Sequence, residues 1–101
     1  MHGAALTDAH GRVIVAREDI GRHNAVDKVI GAFVREATLP PNDSILVVSS
    51  RASFELVQKA IVARISALVV IGGPSSLAID LARRFNLTLI GFVREDRYNV
   101  Y

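Results

Sequence analysis

Five polar side chains, Arg22, His23, Asn24, Asp27 and Lys28, stand within seven positions of a chain that is otherwise rich in Val, Ile, Leu and Ala. Arginine and lysine grip anionic oxygens through charge-assisted hydrogen bonds, and asparagine and a neutral imidazole each offer a donor and an acceptor. Such a group suits recognition of a polar or anionic ligand. The plainer reading is a helix cap at Asn24 followed by solvated charges. Three further clusters have the same character: Ser49-Ser50-Arg51, Gly72-Gly73-Pro74-Ser75-Ser76 and Arg94-Glu95-Asp96-Arg97. Small residues let a phosphate come close to the backbone, helix N-termini favour an anion, and arginines hold its oxygens in pairs. Each piece also has a structural reading. Ser50 or Ser53 caps a helix, Gly72-Gly73 is only a tight turn, and Arg94 and Arg97 are ordinary surface charges.

Other chemistries find less support. No string matches a Walker P-loop or a dinucleotide Gly-x-Gly-x-x-Gly. Zinc deaminases place a His at a helix start with Cys-x-x-Cys later; His23 stands near a helix start, but no Glu follows two residues on, and the chain has no cysteine. His2, His10 and His23 are not at paired ligand spacing, so no zinc site is expected. Ser50, His23 and Asp27 could be written as a triad, yet no Gly-x-Ser-x-Gly elbow accompanies them.

The elements that must position these clusters follow from periodicity. "AALTDAHGRVIVARE" predicts a hairpin turning at Asp8-Ala9-His10-Gly11, with Gly11 taking positive φ. A helix follows over roughly Asn24 to Glu36, with Val26, Val29, Ile30, Phe33 and Ala37 on one face. Pro40-Pro41-Asn42-Asp43 breaks it. Then strand and helix alternate. Ser44–Ser49 is a strand. "ASFELVQKAIVARI" is a helix with Phe54, Val57, Ala60 and Ile61 on one side. Ala67–Ile71 reads as a parallel buried strand. "PSSLAIDLARRF" is a helix with Leu77, Ala78, Leu81, Ala82 and Phe85 inward and Pro74 in its first turn. Leu87–Val93 is a strand, and "RYNVY" adds a short edge strand. The order predicts an α/β domain with a mixed, mostly parallel sheet and an N-terminal antiparallel hairpin. Ligands of open α/β sheets bind beyond the carboxyl ends of the parallel strands, which is where the serine, glycine and arginine clusters fall.

The composition bounds the rest. The 101 residues fit one small domain. Half of them are hydrophobic, which implies strands buried on both faces or a subunit interface. Twelve Lys and Arg against ten Asp and Glu are scattered without a polybasic tract, so neither nucleic acid nor membrane is expected as a partner. With no cysteine there is no disulfide and no thiolate nucleophile. No apolar run is long enough to cross a bilayer and no signal peptide is visible, so a cytoplasmic location is the expectation.

Four strings together resemble the formate dehydrogenase accessory protein family, FdhD: "REDIGRHNAVDKVIG", "SSRASFELVQKA", "PSSLAIDLA" and "TLIGFVREDRYNVY". The resemblance runs through the whole chain in order. It implies a cytidine-deaminase-like three-layer fold without the zinc site, and residues 1–101 as a single domain matching the family's C-terminal cofactor-binding domain. It implies binding of the molybdenum cofactor, bis-molybdopterin guanine dinucleotide, with GDP as a possible partial mimic. It also implies sulfur transfer from a cysteine desulfurase to that cofactor for formate dehydrogenase, and a homodimer. The family's cofactor-binding segment matches Phe92, Val93, Arg94, Glu95, Asp96 and Arg97; its other characteristic polar residues match Arg22, His23, Asn24, Lys28, Ser49 and Arg51. "GRHNAVDK" and "FVREDR" are expected to form two walls of one site. The family carries sulfur on a Cys-x-x-Cys loop in an N-terminal region that this sequence does not contain. A cysteine-free chain cannot hold a persulfide, so it is not expected to transfer sulfur alone. Two other readings stand beside this one: a non-catalytic docking or dimerisation module for formate dehydrogenase maturation, and a free-standing nucleotide-binding enzyme.

Overall fold

The computed structural model describes residues 2–35 and 43–101. The expected helix end at Glu36, Ala37 and the break at Pro40-Pro41-Asn42 lie outside the described residues, as do the side chains of Arg22 and Phe33.

The chain opens with the predicted hairpin. Strand β1 (His2–Thr7) pairs antiparallel with β2 (Val13–Asp19), with a register shift between Leu6 and Thr7. The turn is built by Asp8, whose carboxylate accepts the backbone N–H groups of His10 and Arg12, each at 2.9 Å. Those bonds hold its carboxyl below its ordinary value, Arg12's N–H most of all. Gly11 takes φ +82°, the left-handed conformation expected of it.

Helix α1 (Arg22–Arg35) begins two residues before the predicted start, and its cap is not Asn24. Ala25 N–H donates to the Gly21 carbonyl at 3.1 Å, so the helix is entered through Gly21. The anchor is Asp19. It accepts from Gly21 N–H at 3.1 Å, from Asn24 Nδ2 at 3.5 Å and from Lys28 Nζ at 2.7 Å. Lys28 also donates to the Glu18 carbonyl at 3.2 Å. Part of the polar crowding in this stretch is therefore the joint between β2 and α1.

These contacts, Lys28 first and then the Gly21 N–H, pull the Asp19 carboxyl from 3.8 down to about 2. A group whose folded value is depressed adds stability that is complete above its unfolded value and is lost as pH falls through the folded one. The domain should therefore lose stability between about pH 4 and pH 2, and Asp19→Asn should flatten that part of the acid limb while lowering stability at neutral pH. Thermal melts of both proteins from pH 7 to pH 2 check this; identical acid limbs would remove Asp19 as the anchor.

Beyond the break, β3 (Ile45–Val48), α2 (Phe54–Val62), β4 (Ala67–Val70), α3 (Ser76–Arg84) and β5 (Thr88–Gly91) form two βαβ crossovers, and β6 (Asn99–Val100) closes the sheet. The strand order is β2-β1-β3-β4-β5-β6. β3, β4 and β5 are mutually parallel; β1 runs against both β2 and β3, and β6 against β5. Four strands thus share one direction. Ser53 caps α2 by accepting Leu56 N–H at 3.2 Å, and Ser75 caps α3 by accepting Ala78 N–H at 3.1 Å.

The helices cover one face of this sheet. α1 packs on β1 and β2 and is tied to α2 by the Asp27–Lys59 ion pair at 2.9 Å, and α2 packs on α3. The core beneath them holds Leu6, Leu46, Val48, Leu68, Val70 and Leu89 from the sheet and Val26, Val29, Leu56, Val57, Ala78 and Ala82 from the helices. The intervening strand residues, Ile45, Val47, Ala67, Val69 and Ile90, are only half-buried. The run Ala67–Ile71 is thus not buried on both faces within this chain, as its unbroken apolar pattern had suggested. Three side chains expected inward also face out: Phe54, Leu77 (64% exposed) and Phe85 (56%). The buried stripe of α3 is Ala78 and Ala82, whose small side chains allow close approach. Leu77 lies about 100° round the helix from Ala78, Phe85 stands at the C-cap, and Phe54 is the first residue of α2. Among the described residues no helix is long and apolar enough to cross a membrane.

Candidate functional site at the carboxyl edge of the sheet

Because β2, β3, β4 and β5 run the same way, their carboxyl ends and the start of β1 arrive at one edge. The loops leaving that edge are laced together by backbone hydrogen bonds. Ser49 N–H donates to Gly3 O at 3.0 Å, and Gly3 N–H donates to Ser49 Oγ at 2.8 Å. Gly72 N–H donates to Ser50 O at 3.2 Å, Ser75 N–H to Ala52 O at 3.0 Å and Phe92 N–H to Gly72 O at 3.1 Å. A parallel bridge joins Ala52 and Pro74. Three segments distant in sequence, 49–53, 72–75 and 92–97, thereby form one surface.

The two glycines are needed for this closeness. A Cβ on Gly72 would stand 2.7 Å from Arg51 Cγ, and one on Gly73 would stand 2.4 Å from Phe92 Cζ. Phe92 itself has φ +52°, a left-handed conformation costly for an aromatic residue. Strain of this kind persists where surrounding contacts over-determine it, and it concentrates at binding sites. Here the N–H bond to Gly72 and the ring seated over Gly73 supply those contacts.

Two hollows result. A cleft of about 330 Å³ lies among His2, Ser50, Arg51, Ser53, Gly73 and Ser75. A more open hollow of about 640 Å³ is lined by Phe92, Arg94, Glu95, Asp96, Arg97 and Asn99. The second is shaped by the Arg94 N–H bond to Arg97 O at 2.8 Å. Arg97 is 80% exposed, and its nearest carboxylate, Asp96, is 3.8 Å from Nε. So long and exposed a pair contributes little, which leaves the guanidinium ready for an incoming anion. The site thus combines guanidinium groups, close-approach glycines and an aromatic ring. Among the described residues no group of three or more potential metal ligands gathers, and the chain has no thiol.

The sequence-predicted residues divide among these places. Arg94, Glu95, Asp96 and Arg97 turn around one hollow with Phe92, and Val93 lies half-buried within the same turn. Arg51 lines the cleft, while Ser49 is spent on Gly3. The choice between Ser50 and Ser53 as cap resolves to Ser53; Ser50 is buried and its hydroxyl donates to the Arg51 carbonyl at 3.3 Å. Arg22 is the first residue of α1. Asn24 and Lys28 are held by Asp19 and line neither hollow. His23 packs beside α2, with Nε2 3.7 Å from Glu55, and its buried Nδ1 has no hydrogen-bond partner among the described residues. Ser75 belongs to the glycine-serine cluster picked out in the sequence, whereas His2 escaped the sequence reading as a cleft residue. His2 reaches the cleft only because antiparallel pairing sets the start of β1 beside the end of β3, a long-range contact with no local signal.

The comparisons with known proteins decide the relationship. The model of the FdhD/NarQ family matches residues 1–101. The chain belongs to the FdhD/NarQ family. It is 54% identical over 101 residues to the "Sulfur carrier protein FdhD" of Nocardia farcinica, covering all of this chain and 36% of that protein. Among solved structures, one described as a formate dehydrogenase accessory protein from Desulfotalea psychrophila superposes with a TM-score of 0.88 at 37% identity, over 99% of this chain and 44% of that one. A diaminohydroxyphosphoribosylaminopyrimidine deaminase/reductase of Thermotoga maritima superposes with a TM-score of 0.70 at 17% identity, over 91% of this chain and 29% of that one. The last likeness shows the fold alone, which is cytidine-deaminase-like. The FdhD/NarQ chain spans a little over one third of the length of the curated relatives it matches.

Proposed function

We propose that this domain binds the guanine dinucleotide portion of the molybdenum cofactor, bis-molybdopterin guanine dinucleotide, at the carboxyl edge of its sheet. The observation that carries the reading is the convergence there of Arg51, Arg94 and Arg97 on loops drawn together at Gly72 and Gly73. Guanidinium forks suit phosphate oxygens, and the exposed Phe92 ring offers a face to a purine. The sulfur-carrier and formate dehydrogenase accessory names of its relatives support the same reading. In a complete family protein the domain would hold the cofactor while sulfur passes from a cysteine desulfurase, in the cytoplasm, before formate dehydrogenase is loaded. A thiol on another segment must carry that sulfur, because this chain has none.

Calorimetry with GDP and with phosphate-free guanosine tests the reading. GDP should bind at up to millimolar concentration and guanosine more weakly, because it lacks the groups the arginines would hold. No heat and no thermal shift with millimolar GDP would reject it.

A second reading, a docking or dimerisation module, is favoured by the apolar side chains exposed from the helix layer: Phe54, Val62, Leu77 and Phe85. They supply a surface for a homodimer. Light scattering should then give twice the chain mass of 10.9 kDa at micromolar concentration; a monomer throughout a hundredfold dilution series would reject the dimer.

A further inference from the structure

The hollow that follows β5 holds both signs of charge. Arg94 and Arg97 supply guanidinium groups, and Glu95 and Asp96 stand between them on the same loop. Phosphate alone gives no reason for the carboxylates, which repel it and offset the field of the arginines. Nor are they consumed in firm ion pairs. Asp96 Oδ1 lies 3.8 Å from Arg97 Nε, and the two side chains are 82% and 80% exposed, so that contact holds little energy. Glu95 has no ion pair among the described residues. A solvated loop tip is the plain reading of such residues. The loop is tied at both ends, however. Arg94 N–H donates to the Arg97 carbonyl at 2.8 Å, and Phe92 N–H donates to Gly72 O at 3.1 Å. The two carboxylates are therefore carried by a closed turn next to the half-exposed Phe92 ring.

We propose that Asp96 selects the base of the bound nucleotide: its carboxylate accepts the N1–H and 2-amino groups of a guanine stacked on Phe92, while the arginines take the phosphates. This rests on the nucleotide reading given above and adds a specificity residue to it. Guanine carries two N–H donors side by side on one edge, and the two oxygens of a carboxylate meet them in parallel, as they meet a guanidinium fork. Adenine presents a lone pair at N1 and has no 2-amino group, so the same carboxylate repels it. A site built to accept a ligand's N–H groups rejects the analogue that lacks them, and the repulsive contact widens the difference. The mixed charge of the hollow then has a cause, because a guanine nucleotide is itself mixed, with donors on its base and negative charge on its phosphates. Asp96 is chosen over Glu95 on two grounds. Arg97 stands beside it and biases where its carboxylate points. Its shorter side chain also loses less rotamer freedom on being ordered by a ligand.

Titrations with GDP, IDP, ADP and inorganic diphosphate test this on the 101-residue chain. IDP keeps N1–H and lacks only the 2-amino group. GDP should bind roughly fivefold to tenfold tighter than IDP, the low end for a charge-assisted hydrogen bond because the loop is exposed, and ADP should bind more weakly than IDP. Asp96→Asn should weaken GDP, bring the GDP-to-ADP ratio close to one and leave diphosphate no weaker, since it removes a negative charge beside the arginines. A variant that merely disturbed the loop would weaken all four ligands together, and its melting curve would shift. Glu95→Gln removes the same charge from the same loop and should move GDP and ADP in parallel, which keeps their ratio. Equal binding of GDP and ADP by the unaltered chain overturns the proposal and leaves the cofactor reading standing. A ratio lost in Glu95→Gln and kept in Asp96→Asn overturns the assignment to Asp96. No binding of GDP, or of any of the four, removes the cofactor reading and this inference with it.

Discussion

Leu68→Ala should destabilise the domain by about 2–5 kcal/mol. Leu68 is fully buried on β4, which hydrogen-bonds to parallel strands on both sides, and its side chain points into the one face that carries the core. Truncation removes transfer free energy and leaves a cavity that rigid ladders on both sides cannot collapse around. A domain of this size has about 5–15 kcal/mol in all, so the change should lower the melting temperature by about 10 °C or more. Val69→Ala is the internal comparison: the neighbouring side chain, half-buried on the opposite face, should cost well under half as much. Urea denaturation of both variants checks this. Equal losses would mean that the two sheet faces are packed alike and that the single-faced core is wrong.

Arg97→Ala should weaken GDP binding by roughly tenfold or more, from the loss of a charge-assisted hydrogen bond of about 1.5–3 kcal/mol. Arg97 is held in position by its own backbone, whose carbonyl accepts Arg94 N–H, while its side chain stays extended in solvent. Removing the guanidinium should therefore change the ligand contact and not the fold. Arg97→Lys should recover only part of the affinity, because an ammonium lacks the planar fork. Arg12→Ala is the control. Arg12 lies at the hairpin turn, at the other end of β1 from the site, and equally removes one positive charge. Unchanged affinity in Arg97→Ala would remove Arg97 from the site, and an equal loss in Arg12→Ala would reduce it to a general electrostatic contributor.

The geometry also bears on the stretch from Arg22 to Lys28. Asn24 and Lys28 fasten α1 to β2 through Asp19, and Asp27 fastens α1 to α2 through Lys59. This accounts for three of the five polar side chains as structure. His23 remains beside Glu55 at the same edge as the loops of the site. Of the wall expected of this stretch, His23 is the described side chain left near the site, and "FVREDR" faces a hollow of its own.

Periodicity along the chain was enough to place the hairpin, three helices and the strands, because side-chain spacing of two or of three and four residues is a local property. Gly11 was legible for the same reason: a two-strand turn needs a residue that tolerates positive φ. The serine, glycine and arginine clusters were also legible as a group, since the alternation of strands and helices puts every parallel strand end on one edge. What local pattern cannot carry is which of two apolar faces is covered. Ala67–Ile71 reads the same whether helices lie on one side of it or on both, and only the packing of α1, α2 and α3 on a single face decides it. Leu77 and Phe85 were misplaced because their spacing fits a broad apolar stripe, whereas the contact between α2 and α3 selects the narrow alanine seam beside it. His2, the pairing of Gly73 with Phe92 and the anchoring role of Asp19 were decided by tertiary structure alone. Each depends on residues brought together by strand pairing or loop closure, and a hydrogen bond or a van der Waals contact leaves no mark in the sequence until the chain has folded.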